Sequence, residues 1–131
     1  MAGFEPIVPA GLKQLYEKRS HAPGVRVNNL LFISGMLGRD SELNVIAEPE
    51  AQLVQMFENM GMVLAEAGCA WSDVFELTGY FVNWQRDYPL FLEVRNRYIS
   101  EPHPAMTMIG IAELARPDLI CELKGSAVIP D

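Results

Sequence analysis

The chain has few of the residues that cross-link small proteins or bind metals, with two cysteines and two histidines among its 131 residues. Cys69 and Cys121 have no Cys-x-x-Cys spacing, which argues against a zinc site or a redox pair and favours two reduced, buried thiols. A chain of this length buries about two thirds of its unfolded surface without such help. We therefore expect one domain, residues 1–131, without a bound metal.

Basic residues and long apolar runs are also scarce. Ten Lys and Arg face seventeen Asp and Glu, a net charge of −7 at pH 7, and no stretch clusters the cations that nucleic acid binding requires. No run approaches the roughly 18 apolar residues of a membrane span, and residues 1–6 lack the basic and apolar regions of a secretory signal. We expect a cytoplasmic protein with neither a nucleic acid nor a membrane partner.

The first half of the chain predicts strands and then a helix. Residues 4–9 and 12–18 show the patterns of extended segments, and residues 25–27 and 30–35 flank an Asn-Asn turn that is typical of a hairpin. Apolar residues at three- and four-residue spacing predict a helix over residues 49–68. That stripe, which we expect to be core, consists of Leu53, Met56, Phe57, Met60, Val63, Leu64 and Ala67.

The second half predicts a strand, a helix and two further strands. Alternation predicts a half-buried strand over residues 74–82, and its inner positions are Phe75, Leu77, Gly79 and Phe81. Residues 83–86 are expected to form a loop and residues 87–99 a helix. Residues 105–114 and 119–129 read as two strands of one sheet. The order of elements favours an α+β fold, a mixed sheet with two helices on one face.

Glu122 is the one residue of this pattern that needs an explanation. It is a single carboxylate in an otherwise apolar strand, flanked by Leu119, Ile120, Cys121 and Leu123. A buried charge without a partner costs on the order of several kcal/mol, so this side chain needs hydrogen bonds, a cleft or a proton. The sheet face away from the helices also has few polar positions, and a homo-oligomer that packs sheet against sheet would cover it.

Several short motifs occur in order along the chain. One strand ends in Ser34-Gly35, the first long helix ends in Leu64-Ala65-Glu66-Ala67-Gly68, and Pro104-Ala105 precedes Ala112-Glu113-Leu114 and Glu122. In this series the chain resembles the YjgF/Rid (reactive intermediate deaminase) family, also called L-PSP endoribonuclease-like. The resemblance covers nearly the whole chain. It implies a chorismate-mutase-like fold with a six-stranded sheet, and a homotrimer with three clefts between subunits.

The resemblance also implies a chemistry and exposes one departure from it. Deaminating members hydrolyse short-lived enamines and imines of amino acids, and an arginine two residues after the signature proline binds the substrate carboxylate. Here that residue is Met106, which would make the cleft more apolar. Arg19, Arg26 and Lys124 are alternative carboxylate ligands, although none occupies the family's position, and we assign Arg19 to substrate binding.

Four further residues receive roles from the same resemblance. Glu122 would orient or deprotonate the attacking water, and His21, at the position of a family tyrosine, would donate a hydrogen bond or move a proton. Ser34 and Gly35 would line the cleft. For His21 a purely structural role is the alternative, and the spacing of His21, His103 and Glu122 gives no support to a metal triad.

Three functions are therefore open. The first hypothesis is a trimeric, cofactor-free hydrolase that acts on an imine, an enamine or a related small reactive metabolite. The second is a trimer that binds a metabolite without turnover, because the arginine is missing. The third, a ribonuclease, conflicts with the acidic charge of the chain.

Overall fold

A computed structural model of the protein describes residues 3–131; Met1 and Ala2, which begin the segment inspected for a secretory signal, lie outside it. These residues form six strands and three α-helices. In chain order the elements are β1 (Glu5–Ile7), α1 (Lys13–Arg19), β2 (Gly24–Val27), β3 (Leu30–Leu37), α2 (Pro49–Glu66), β4 (Val74–Phe81), α3 (Trp84–Arg95), β5 (Ala105–Gly110) and β6 (Cys121–Val128). Within residues 3–131, no helix has the length and apolar character needed to cross a bilayer.

The six strands form one mixed sheet in the order β1-β2-β3-β6-β4-β5. β4 and β5 run parallel, and every other neighbouring pair is antiparallel. The α+β fold with a mixed six-stranded sheet is thus confirmed. The two last strands share the sheet as expected but do not pair with each other, because β4 lies between them. β6 instead pairs with both β3 and β4 and occupies the interior of the sheet.

Helix α2 packs its apolar stripe against one face of the sheet, as its spacing predicts. The stripe residues Leu53, Met56, Phe57, Met60, Val63 and Leu64 are each at most 1% exposed. The Glu48 side chain accepts a hydrogen bond from the Ala51 N–H, and Pro49 occupies the first turn, where no N–H is needed. Beyond the helix, Gly68 adopts a left-handed φ of 79°, a common conformation just after a helix end.

The expected number of two helices is wrong, because residues 12–18 are not extended. A 3-10 turn (Ala10–Leu12) leads into α1, and Leu12 and Leu15 both enter the core. Their separation of three residues fits a helix, whereas an alternating strand would place them on opposite faces. Ser20, with φ of 59°, ends α1.

Three further sequence expectations are wrong in detail. Residues 84–86 begin α3 instead of forming a loop with residue 83, since Asn83 Oδ1 accepts a hydrogen bond from the Arg86 N–H at 3.2 Å and caps the helix. The helix also ends at Arg95 instead of residue 99. In β4 the register shifts between Val74 and Glu76, and this irregularity turns Phe75 outward to 43% exposure.

The other sheet face carries apolar side chains in contact with solvent. Phe32, Ile109 and Val128 are 43%, 38% and 42% exposed, and the strand register places all three on the face that also carries Glu122. Both cysteines are free thiols; Cys121 is buried as expected, whereas Cys69 is only partly buried.

Gly61 lies within α2 and Gly68 lies just after it, and alanine at these two positions should change the stability in opposite directions. An added Cβ at Gly61 would meet nothing closer than 3.7 Å, so Gly61→Ala should raise the free energy of unfolding by about 0.5–1 kcal/mol through reduced backbone entropy. Gly68→Ala should lower it by about 1 kcal/mol, because φ is positive there. Urea titrations at a single protein concentration measure both changes, and effects of the same sign would contradict this description of the helix end.

Candidate functional site

Glu122 lies on the open face of the sheet, partly buried between the two neighbours of β6. Its cross-strand partners are Leu37 on β3 and Tyr80 on β4. Lys124, two residues further along β6, is exposed on the same face. Strand β6 therefore turns its single carboxylate away from the helices and the core.

Gly35 provides the space that the Glu122 carboxyl occupies. The pairing of β3 with β6 is irregular between Ile33 and Met36, so Ser34 and Gly35 fall in the irregular part. A Cβ added at Gly35 would lie 2.7 Å from Cδ of Glu122 and 3.0 Å from its Oε1. At these distances any side chain at position 35 would displace the carboxyl, so glycine lets the carboxyl lie against the β3 backbone.

Ser34 fixes the loop that follows α1 to the same strand. Its Oγ donates a hydrogen bond to the carbonyl oxygen of Ala22 at 2.6 Å, and its backbone N–H donates to the carbonyl of Pro23 at 2.9 Å. The hydroxyl thus holds the loop that carries His21 beside the carboxyl of Glu122.

His21 is exposed, and one of its ring nitrogens is engaged by the backbone. Its Nδ1 lies 3.3 Å from the carbonyl oxygen of Arg19. Because a carbonyl can only accept, this contact places the proton of the neutral ring on Nδ1 and leaves Nε2 free to accept another.

The electrostatics of the site involve one residue that sequence reasoning missed. Burial raises the pKa of Glu122 above its ordinary value, and electrostatic interactions with Arg39 and His21 oppose this shift. Burial, together with the positive charge of Arg19, lowers the pKa of Arg39, and the charge of Glu122 opposes that change. Arg39 is therefore the arginine whose charge acts on the Glu122 carboxyl. Its only sequence signal was its position two residues after the strand that carries Ser34-Gly35.

An open hollow of about 460 Å³ joins these residues. Four of the six predicted site residues line it: Glu122, His21, Ser34 and Gly35. Of the alternative carboxylate ligands, Lys124 also lines the hollow, whereas the Nε of Arg26 donates to the carbonyl of Asn28 at 2.8 Å. Arg19 acts on Arg39 by its charge but is not part of the lining.

Met106 and His103 lie elsewhere. Both line a second open hollow, between α3 and β5. His103 is thus separated from His21 and Glu122, and among residues 3–131 no group of three or more His, Cys, Asp or Glu side chains is placed to hold a metal ion.

Within one chain Met106 cannot act together with Glu122. Met106 pairs with Leu77, which in turn pairs with Gly125, and Leu77 points into the core. Glu122 instead pairs with Tyr80 on the opposite face. With strands about 4.8 Å apart and residues about 3.3 Å apart along a strand, the two positions differ by roughly 10 Å in each direction.

The fold and this hollow define the class: a small α+β protein with helices on one sheet face and a partly buried glutamate on the other. Residues 13–129 match the family model described as Endoribonuclease L-PSP. The chain belongs to this family, whose members include the YjgF/Rid proteins, so the resemblance seen in the sequence motifs is confirmed.

Two relatives and one solved structure illustrate the similarity. RutC family protein YjgH of Escherichia coli K12 is 29% identical over 126 residues, which cover 95% of each chain. The 2-iminobutanoate/2-iminopropanoate deaminase of Dermatophagoides farinae is 31% identical over 100 residues, 73% of this chain and 76% of its own. The solved structure of protein YjgH matches with a TM-score of 0.91 at 27% identity and covers 99% of each chain.

Gly35→Ala tests the packing of the Glu122 carboxyl. The new Cβ should push the carboxyl outward, so the pKa of Glu122 should fall towards the ordinary glutamate value as burial is lost. A carbon-detected NMR titration of the side-chain carboxyl measures this shift. Gly61→Ala, on the far side of the sheet, serves as the control and should leave the titration unchanged. An unaltered Glu122 titration in Gly35→Ala would show that the carboxyl does not depend on this glycine.

Proposed function

We propose that the protein is a Rid-type hydrolase that converts a small imine or enamine of an amino acid into the corresponding carbonyl compound and ammonia. The observation that carries the proposal is the Glu122 carboxyl, held against Gly35 in an open hollow beside His21, with its pKa raised by burial. The similarity to a protein named as an iminobutanoate and iminopropanoate deaminase supports the same reaction class. No cofactor takes part in this scheme.

The proposed chemistry is the addition of water to a C=N bond. Glu122 accepts a proton from water as the oxygen attacks the imine carbon, and a raised pKa makes its carboxylate a stronger base for this step. The product is a carbinolamine. In this addition His21 relays the proton from Glu122 to the imine nitrogen. Glu122 then accepts the hydroxyl proton of the carbinolamine, which reaches the nitrogen by the same route, so the C–N bond breaks, ammonia leaves and the oxygen becomes the carbonyl. Ser34 contributes by holding the His21 loop, and Gly35 by admitting the carboxyl.

The proposal includes a homotrimer of the chorismate-mutase-like type, with sites in three clefts between subunits. Two observations support it. The open sheet face carries the apolar side chains of Phe32, Ile109 and Val128, which a facing sheet would cover. Met106, the position of the family's carboxylate-binding arginine, is also too far from Glu122 in one chain for a single small molecule to reach both.

The second candidate is metabolite binding without turnover, which is favoured by one residue. Met106 cannot bind a carboxylate as an arginine does, so a substrate of the usual kind would be held less firmly. The endoribonuclease activity in the family's name is less well supported, since the chain has a net charge of −7.

Ammonia release from freshly generated 2-iminopropanoate and bulkier imino acids separates these candidates. The wild-type protein should release ammonia faster than the uncatalysed reaction, and Glu122→Gln should reduce kcat by about 100-fold or more, because general base catalysis is lost. Glu66→Gln, at an exposed position near the end of α2, is the matched control and should keep full activity. Tight binding of a metabolite that is recovered unchanged would instead identify a binding protein.

The pH dependence provides a second test of Glu122. If its carboxylate is the base, kcat/KM should rise with pH through a limb that lies above the ordinary glutamate pKa of 4.5. Because the pKa is raised in the folded protein, the stability contribution of this group is present below pH 4.5 and is lost as pH rises through the folded pKa. Glu122→Gln should therefore become stabilising relative to wild type as pH rises, in thermal unfolding scans from pH 4 to 7. A constant difference between the two proteins would contradict the shift.

A further inference from the structure

Arg95, at the end of α3, is a buried cation without a carboxylate partner. It is 5% exposed, and its Nε is buried with no hydrogen-bond partner. Its two terminal nitrogens contact Oδ1 of Asn96 at 3.0 Å and Nδ1 of His103 at 3.5 Å, and neither partner carries a negative charge.

The other ion pairs of the chain make this arrangement unusual. Arg86 pairs with Asp87 at 2.9 Å and Arg97 pairs with Glu50 at 3.4 Å, although both arginines are largely exposed. Within residues 3–131, no ion pair within 4.0 Å includes Arg95. A guanidinium does not lose its proton in proteins, and a buried charge without a counter-ion is costly. The guanidinium is therefore available to an anion that enters the hollow it lines.

The hollow that Arg95 lines combines apolar walls with a small number of polar groups. It has a volume of about 610 Å³, and its walls include Leu92, Ile99 and Met106 beside Arg95 and His103. Glu101 also lines the hollow but forms no ion pair with Arg95 within 4.0 Å. Since the Arg95 guanidinium can only donate, its contact with Nδ1 of His103 leaves the proton of the neutral ring on Nε2, a second donor. Apolar walls with a few convergent donors suit an anion that carries a short hydrocarbon group.

Arg95 shares this hollow with Met106, the position at which the family resemblance places a carboxylate-binding arginine. From these contacts we infer that Arg95 binds the substrate carboxylate in place of that arginine, from helix α3 instead of strand β5. Asn96 and His103 hold the plane of the guanidinium. The identity of the carboxylate rests on the proposed function: it belongs to the imino acid whose C=N carbon reaches Glu122 of a neighbouring subunit.

Calorimetric titration of the intact protein with pyruvate, the carbonyl product expected from 2-iminopropanoate, tests this site without requiring turnover. Wild type should bind pyruvate, and pyruvamide, which has the same shape without the carboxylate, should bind about tenfold more weakly or less well still. Arg95→Met should lose about tenfold or more in pyruvate affinity. Arg97→Met, which removes an exposed arginine of the same helical region, is the matched control and should bind as wild type does.

Two further variants keep the test decisive if Arg95→Met folds poorly. Arg95→Lys retains the charge but not the planar pair of donors, and it should bind pyruvate more weakly than wild type. The double variant Arg95→Met with Met106→Arg should regain affinity, because it returns the guanidinium to the same hollow from β5. Equal pyruvate affinity in wild type and Arg95→Lys, or no binding by folded wild type, would overturn the inference.

The outcomes also separate this inference from the proposed function. Pyruvate binding that depends on Arg95, without ammonia release from imino acids, would support the carboxylate site and reject the hydrolase. Ammonia release with an unchanged KM in Arg95→Met would support the hydrolase and reject Arg95 as the carboxylate ligand. If sedimentation showed that Arg95→Met dissociates the oligomer while pyruvate affinity per subunit is kept, a carboxylate of a partner subunit would be the anion, and the inference would be wrong.

Discussion

The contact between the Glu122 carboxyl and the backbone of Gly35 constrains much of the surrounding structure. It requires β3 and β6 to be neighbours, an irregular register where they meet, and a residue without a side chain at position 35. It also partly removes the carboxyl from water, which is the main cause of its raised pKa. Ser34 then brings the loop with His21 to the same place. The Ser-Gly pair is thus one structural unit with two different tasks.

The charges of the two hollows are complementary in a way that one chain cannot satisfy. One hollow holds a carboxyl whose ionisation is disfavoured by burial, and the other holds a guanidinium that forms no ion pair within residues 3–131. They lie on opposite faces of the sheet, so Glu122 and Arg95 do not neutralise each other within the chain. In the proposed trimer, a small anion with an electrophilic carbon between two subunits would meet both groups, so the proposed assembly would have an electrostatic reason as well as an apolar one.

The sequence predicted those features that depend on residues close together in the chain. Periodicity predicted α2 and the strands that flank it, and the order of short motifs located Glu122 and Ser34-Gly35. Periodicity failed for α1, because residues 12–18 fit the alternation of a strand as well as the spacing of a helix. The burial of both Leu12 and Leu15 decides for the helix. Asn83 is recognisable as a cap only from its contact with Arg86.

Arg39 and Arg95 show a more general limit. An arginine in a sequence is ordinarily read as a solvated surface charge, and both of these residues follow polar or helical stretches in which such a charge is common. Arg39 is important because it is partly buried near Glu122, and Arg95 because it is buried without an ion pair; both are properties of the folded chain. By contrast, the sequence alone shows Met106 at the position of the family's arginine. It does not show Arg95, the residue that we infer takes over carboxylate binding.

The interior position of β6 also determines when the sheet can form during synthesis. Before residues 121–128 have left the ribosome, β3 has no partner on one side and β4 can pair only with β5. Two partial sheets would then be present, each with an unpaired edge of the kind that recruits other chains. The sheet is therefore complete only once residues 121–128 have paired with both β3 and β4, and until then each partial sheet has an edge that can recruit another chain.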